Sequence, residues 1–286
     1  MSRSAAPAQA STLAGSAGDP ALALHDWPLP APAPRRATAV LVHGLGEHAG
    51  RYAHVAQQLN ALGLHVRGYD QHGHGRSGGA RGALARDGQP TADLARVIDS
   101  VRAQMPAGEP LVLLGHSMGG LVAADFVAQR LRPVDALVLS SPALAAFLNP
   151  VQKLLLATLP RLLPNLRVGN GLDAQDLSHD AAVVSAYRAD PLCHDRVSAR
   201  LARYIATRGT QVIAAAPAWS VPTLLLWGEA DRIVNPAGCR AFAAAAPASV
   251  LTARGFAGLR HEIFNELDAA PVFAALGDWL GPRLPA

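Results

Sequence analysis

The chain has 286 residues, of which 50% are hydrophobic and 16% charged, with a formal net charge of +4 and a pI near 9.6. That length and apolar content describe one large buried domain, or a domain carrying an insertion. The basic residues are arginines apart from Lys153, scattered with neither a basic block nor interleaved aromatics, which excludes a nucleic-acid surface.

Residues 1–20 are Ala, Ser, Gly and Pro around a lone Leu13, without the continuous apolar core of a secretory signal, and are predicted to be a disordered tail. Leu22–Trp27 reads as an edge strand ended by the Pro-rich stretch 28–34. Ala39–Val42 is a buried strand, and Tyr52, Val55, Ala56, Leu59 and Leu62 share one helical face after it. Leu64–Tyr69 is a weaker strand, followed by a helix marked by Leu94, Val97, Ile98 and Val101. Leu111–Leu114 is a strand, Val122, Phe126, Val127 and Leu131 a helix, and Ala136–Leu139 the next strand. Another strand is Thr223–Trp227. Asn235-Pro236 opens a helix, and Val272, Phe273, Leu276, Trp279 and Leu280 mark a closing one.

Strands alternating with helices imply a mostly parallel, doubly wound α/β sheet covered on both faces. Roughly 80 residues separate the strands ending near Leu139 and starting near Thr223, far more than one crossover helix needs. Residues 142–217 are therefore read as a mainly helical inserted cap, and 21–141 with 218–286 as the core. Within the cap, Ala143–Leu166 is rich in leucine and reads as a greasy lid that docks on lipid and lines an acyl tunnel, and also as the cap's own core packed on the body; both readings can hold together. Asp190-Pro191-Leu192 is read as a cap turn.

Gly115-His116-Ser117-Met118-Gly119 follows the strand Leu111–Leu114 and precedes an amphipathic stretch. A G-x-S-x-G sequence between strand and helix fits a nucleophile elbow, in which glycines flank the serine because the turn leaves no room for side chains. A serine hydroxyl needs a base in reach, and the base needs an orienting carboxylate, in the chain order Ser, acid, His. After the strand ending at Leu139 stand only Ser140 and Ser141. Asp231, after Thr223–Trp227, is the predicted acid, with Glu229 as its rival. His261 is the last histidine of the chain and the predicted base. The oxyanion donors are predicted to be the backbone N–H groups of Met118 and of Leu45 in His43-Gly44-Leu45-Gly46. His72 and His74 sit in a glycine loop without a third ligand at metal spacing, so neither metal nor cofactor is expected. Cys193 and Cys239 fit no redox spacing, and no stretch of 18 apolar residues exists. A reducing cytoplasm is the expected compartment.

Taken together, His43-Gly44-Leu45-Gly46-Glu47-His48 with Arg51-Tyr52, Asp70-Gln71-His72-Gly73-His74-Gly75-Arg76-Ser77-Gly78, Gly115–Gly120 and His261–Glu266 resemble the monoacylglycerol lipase and lysophospholipase branch of the α/β-hydrolases. The resemblance covers about residues 20–282. It implies serine-dependent hydrolysis of a carboxylic ester carrying a long acyl chain under a mobile cap, with Ser117, His261 and Asp231 as the triad. The loop Asp70–Gly78 is read as support beneath the site. The stretch Phe256–Arg260 lacks the tyrosine-rich character of many relatives, and the cap is rich in Ala and Pro, so no substrate pocket is carried over onto it residue by residue.

The expected partner is a small lipid or ester substrate, with transient membrane contact through the cap. Head group, acyl length and oligomeric state are left open. Two rival readings stand beside this one. A peptidase acting at an N-terminal proline would need an acidic amine site, for which Asp173, Asp176 and Asp180 are candidates. A catalytically silent hydrolase fold used for binding is the other. A serine at position 117 disfavours aspartate-nucleophile dehalogenases and epoxide hydrolases.

Overall fold

The computed structural model describes residues 8–15 and 19–285, with only the backbone of Lys153. In chain order the elements are β1 (Gln9–Leu13), β2 (Leu22–Trp27), β3 (Ala37–Val42), α1 (Ala53–Ala61), β4 (Leu64–Tyr69), α2 (Gln89–Arg102), β5 (Leu111–His116), α3 (Met118–Ala128) and β6 (Ala136–Ser140). Then come α4 (Pro150–Leu162), β7 (Arg167–Gly169), α5 (Ala181–Ala189), β8 (Arg196–Ser198), α6 (Ala199–Ala215), β9 (Thr223–Gly228), α7 (Ala237–Ala245), β10 (Leu251–Phe256) and α8 (Ala270–Leu280).

Eight strands form one sheet in the order β1-β2-β4-β3-β5-β6-β9-β10. Neighbours from β4 to β10 pair in parallel, and β2 runs antiparallel to both β1 and β4. Strands β3, β5, β6 and β9 are buried along their whole length, as apolar runs covered on both faces must be. One face packs on α2, α3 and α6 through Leu94, Ile98, Phe126 and Leu201, and the other on α1 and α8 through Leu59, Val55, Val272 and Leu276. This is the α/β-hydrolase architecture that the sequence reading anticipates.

Two expectations are corrected at the N-terminus. Gln9–Leu13 is a strand, not part of a disordered tail; it pairs antiparallel with β2 in the register Gln9 to Asp26 through Leu13 to Leu22. Strand pairing is made by the backbone, so an Ala/Ser-rich segment with exposed side chains can join an edge without an apolar signature. Consequently β2 is internal, not an edge. Residues 1–7 and 16–18 of the expected tail lie outside the described residues. At the opposite edge, β10 escaped the sequence reading because its Thr252, Ala253 and Arg254 are exposed.

Between β6 and β9 stand α4, α5, α6 and the two-stranded sheet β7-β8. Asn149 caps α4 with a reciprocal capping box to Gln152. The apolar side chains of this helix divide. Val151, Leu154, Leu155 and Leu162 are exposed, Leu162 to 77%, as is Phe147 just before the helix. Leu156 is partly buried. The reading of this stretch as the cap's own core is thus overturned for its exposed members. Among the described residues no helix is long and apolar enough to cross a membrane.

Candidate active site

Strand β5 runs straight into α3, and Ser117 occupies the bend with φ 55° and ψ −122°. A non-glycine residue at positive φ is strained, and here the surroundings hold it there. The Ser117 N–H donates to Ser140 O at 2.9 Å, and Ser117 O accepts from Leu121 and Ala143 N–H groups at 3.0 Å each. A Cβ on Gly119 would overlap the Val42 and His43 carbonyls, so the helix can approach β3 only with glycine there.

Three distant side chains meet at this bend. The His261 Nε2 lies 2.8 Å from Ser117 Oγ, and His261 Nδ1 lies 2.7 Å from Asp231 Oδ2. A carboxylate only accepts, so Nδ1 carries the proton and Nε2 is free to accept the serine hydroxyl. Asp231 is oriented by its other oxygen, which accepts from the Ile233 and Val234 N–H groups at 2.8 and 2.9 Å. Glu229, the rival acid, turns away to Trp227 Nε1 at 2.8 Å and to Arg240. Burial alone would lower the His261 pKa, but the Asp231 carboxylate outweighs burial and raises it above the usual histidine value. His116 packs its ring 4.8 Å from that of His261. Burial and the neighbouring imidazole push His116 down to about 4, so it is neutral at physiological pH.

The expected oxyanion donors flank the same point. Met118 is the first residue of α3, where an N–H has no intrahelical acceptor. Leu45 stands beside Ser117 in the lining of the site cavities. The loop Asp70–Gly78 holds this turn from behind. The Gln71 N–H donates to His43 Nε2 at 2.9 Å, and Gln71 Nε2 donates to His43 O at 2.6 Å. Asp70, fully buried, accepts from the Ala49 N–H at 2.9 Å and the Arg76 N–H at 2.8 Å.

The segment between β6 and β9 packs against the turn. Gly46 O accepts from the His194 N–H at 2.8 Å and from Tyr187 Oη at 3.3 Å, while His48 Nε2 meets Asp190 Oδ2 at 2.8 Å. Gly46 has φ 75°, and a Cβ there would strike the His194 carbonyl.

Ser117 opens onto two cavities that share Leu45, Asn170, Leu172 and Ile233 in their walls. One, of about 340 Å³, is lined mainly by apolar groups, including Phe147, Leu148, Leu156 and Ile205. The other, of about 210 Å³, differs in its charged and polar side chains, among them Glu47, Arg51, Tyr187, Asp190, His194 and Glu262, and is called the polar lobe for them. This polar lobe was not assigned from sequence: Arg51 and Glu262 are 211 positions apart, and no local pattern joins them.

Each acidic candidate for an amine site already has a partner, and of the three only Asp173 stands in the wall of a site cavity, the polar lobe. Asp173 faces Arg188 at 3.5 Å, Asp176 faces Arg232 at 3.8 Å, and Asp180 accepts from the Ala182 N–H at 2.8 Å at the start of α5. Among the described residues, His48, Asp190 and Cys193 form the one group with metal-ligand atoms within 4.8 Å of one another. The ring of His48 is already committed at both nitrogens, to the Gly50 N–H and to Asp190. Burial pushes the Cys193 thiol up to about 12, which keeps it protonated and a poor ligand.

The sequence profile of the family described as "Serine aminopeptidase, S33" matches residues 33–268. A monoacylglycerol lipase of Mycolicibacterium smegmatis is 37% identical over 87% of this chain and 89% of its own length. The monoglyceride lipase of Homo sapiens is 34% identical over 87% of this chain and 83% of its own. The crystal structure of Paleococcus ferrophilus monoacylglycerol lipase superimposes with a TM-score of 0.82 at 34% identity, covering 92% of this chain and 99% of that one.

Proposed function

Because the chain belongs to the monoacylglycerol lipase-like α/β-hydrolases, we propose that it cleaves the carboxylic ester of monoacylglycerols through an acyl-enzyme on Ser117. The observation that carries this reading is the position of the hydroxyl at the waist between an apolar and a polar lobe. An ester of a fatty acid with a polyol has the same two halves.

In this mechanism Ser117 Oγ attacks the ester carbon and its proton passes to His261 Nε2. The tetrahedral oxyanion accepts from the Leu45 and Met118 N–H groups, which are fixed before the reaction and need no reorganisation. The C–O bond breaks, His261 returns its proton to the departing alcohol, and that alcohol leaves through the polar lobe. Water then attacks the acyl-enzyme by the same route and releases the fatty acid. Burial of the acyl chain in the apolar lobe contributes about 0.8 kcal/mol per methylene. Residues 142–217 act as the cap over both lobes, and the exposed face of α4 is the surface through which the cap meets lipid.

An aminopeptidase reading is less well supported. The ammonium of a peptide's first residue lies on the acyl side of the scissile bond. The corresponding lobe here has no carboxylate in its lining and carries Arg232 instead.

Release of fatty acid from monoacylglycerol, followed by titration across pH, tests this function. As base, His261 must be unprotonated, and its folded-state pKa is raised. The acid limb of kcat/KM is therefore expected to have its midpoint above the ordinary histidine value of about 6.5. A limb well below that value, or no release of fatty acid, contradicts the assignment.

A further inference from the structure

The polar lobe has a charge of its own. Five carboxylates line it (Glu47, Glu262, Asp173, Asp190 and Asp195) against two guanidiniums, Arg51 and Arg188. Arg188 is more than half exposed and already faces Asp173. Arg51 is the buried cation, and it is enclosed. Its Nη1 donates to Glu47 Oε2 at 2.5 Å and to Glu262 Oε1 at 2.6 Å, its Nη2 to Glu262 Oε2 at 2.8 Å, and its face lies 5.0 Å from the centre of the Tyr187 ring. Burial works against ionising Glu47, but Arg51 holds its carboxyl down at about 2, so Glu47 is charged. Burial likewise drives His194 down to about 4, and with His116 it supplies no positive charge at neutral pH. Two carboxylates on one guanidinium leave an uncompensated negative charge where the leaving alcohol must pass.

We propose that this lobe is a charge filter that admits neutral leaving groups and rejects anionic ones, with Glu262 as the specificity-determining residue. The inference rests on the function proposed above, in which the departing alcohol occupies this lobe. A glycerol hydroxyl can donate to the carboxylates. A phosphate meets like charge, and the guanidinium that could have received it is already engaged at both terminal nitrogens. Juxtaposed like charges are the repulsive half of specificity. The monoacylglycerol reading is thereby separated from one that takes anionic lysophospholipids.

The test compares 1-hexanoylglycerol with 1-hexanoylglycerol 3-phosphate, both below their micelle-forming concentrations, with p-nitrophenyl hexanoate as a control for the triad. In the wild type, kcat/KM for the phosphate ester is expected to be at least about tenfold below that for the glycerol ester. Glu262→Gln is expected to narrow that ratio about fivefold by releasing Arg51, while Glu262→Asp keeps it wide. Raising ionic strength on the wild type is expected to narrow it as well, which decides the matter if a variant does not fold. Equal rates on the two lipids, or a ratio unmoved by both Glu262→Gln and salt, overturn the filter. Hydrolysis of the aryl ester with neither lipid cleaved instead overturns the lipase function, and the filter with it.

Discussion

Replacing Ser117 with alanine is expected to lower kcat for ester hydrolysis by about 10⁶-fold, to the level set by the remaining groups of the site. The side chain loses one oxygen, and its contact with His261 Nε2 at 2.8 Å goes with it. The backbone of the bend is held by the bonds from Ser117 to Ser140, Leu121 and Ala143, none of which uses the hydroxyl. Stability is therefore expected to stay within about 1 kcal/mol of the wild type in urea unfolding. A variant that is folded and still turns over a medium-chain p-nitrophenyl ester contradicts the role given to this serine.

The second large effect is expected from Asp231→Asn. The carboxylate fixes the tautomer of His261 through the 2.7 Å contact to Nδ1. An amide in its place can offer N–H where the imidazole also offers N–H, which turns the acceptor nitrogen away from Ser117. A loss of about 10⁴-fold in kcat is the expected size for such a change. The pH profile supplies an independent check. Asp231 raises the His261 pKa against burial, so removing its charge leaves burial in control, and the acid limb moves to lower pH. Combining Asp231→Asn with Ser117→Ala is expected to cost little more than Ser117→Ala alone, because the three residues act as a unit. Additive losses in the double variant, or an acid limb that stays in place, contradict this coupling.

The interior of the sheet was legible in the sequence because burial on both faces demands unbroken apolar runs. Leu111–Leu114 and Thr223–Trp227 read as strands for that reason, and their whole strands are buried. The two edges were not legible. Strands β1 and β10 each pair on one side only and expose at least half of their residues, so neither carries an apolar signature. The meeting of Ser117, Asp231 and His261 was expected from the chain order Ser, acid, His, with Ser117 and Asp231 each after a predicted strand, whereas the strand before His261, β10, had no apolar signature. The preference for Asp231 over Glu229 has a local cause in the structure: Trp227 and Arg240 draw the glutamate away. The polar lobe had no such signal. Glu47, Arg51, Tyr187 and Glu262 come from a turn, a short helix, α5 and the loop after β10, and only the folded chain brings them together. The apolar residues of α4 show the converse limit, since a leucine-rich amphipathic helix reads the same whether its apolar face is covered or bare.

Treatment of the intact protein with a fluorophosphonate, followed by mass spectrometry of its peptides, tests most directly whether the hydroxyl at the β5–α3 bend is an activated nucleophile. One adduct per chain, on Ser117 and lost in both His261→Ala and Ser117→Ala, is the expected result. An unlabelled wild-type chain, or an adduct on Ser140 or Ser141 instead, would contradict it.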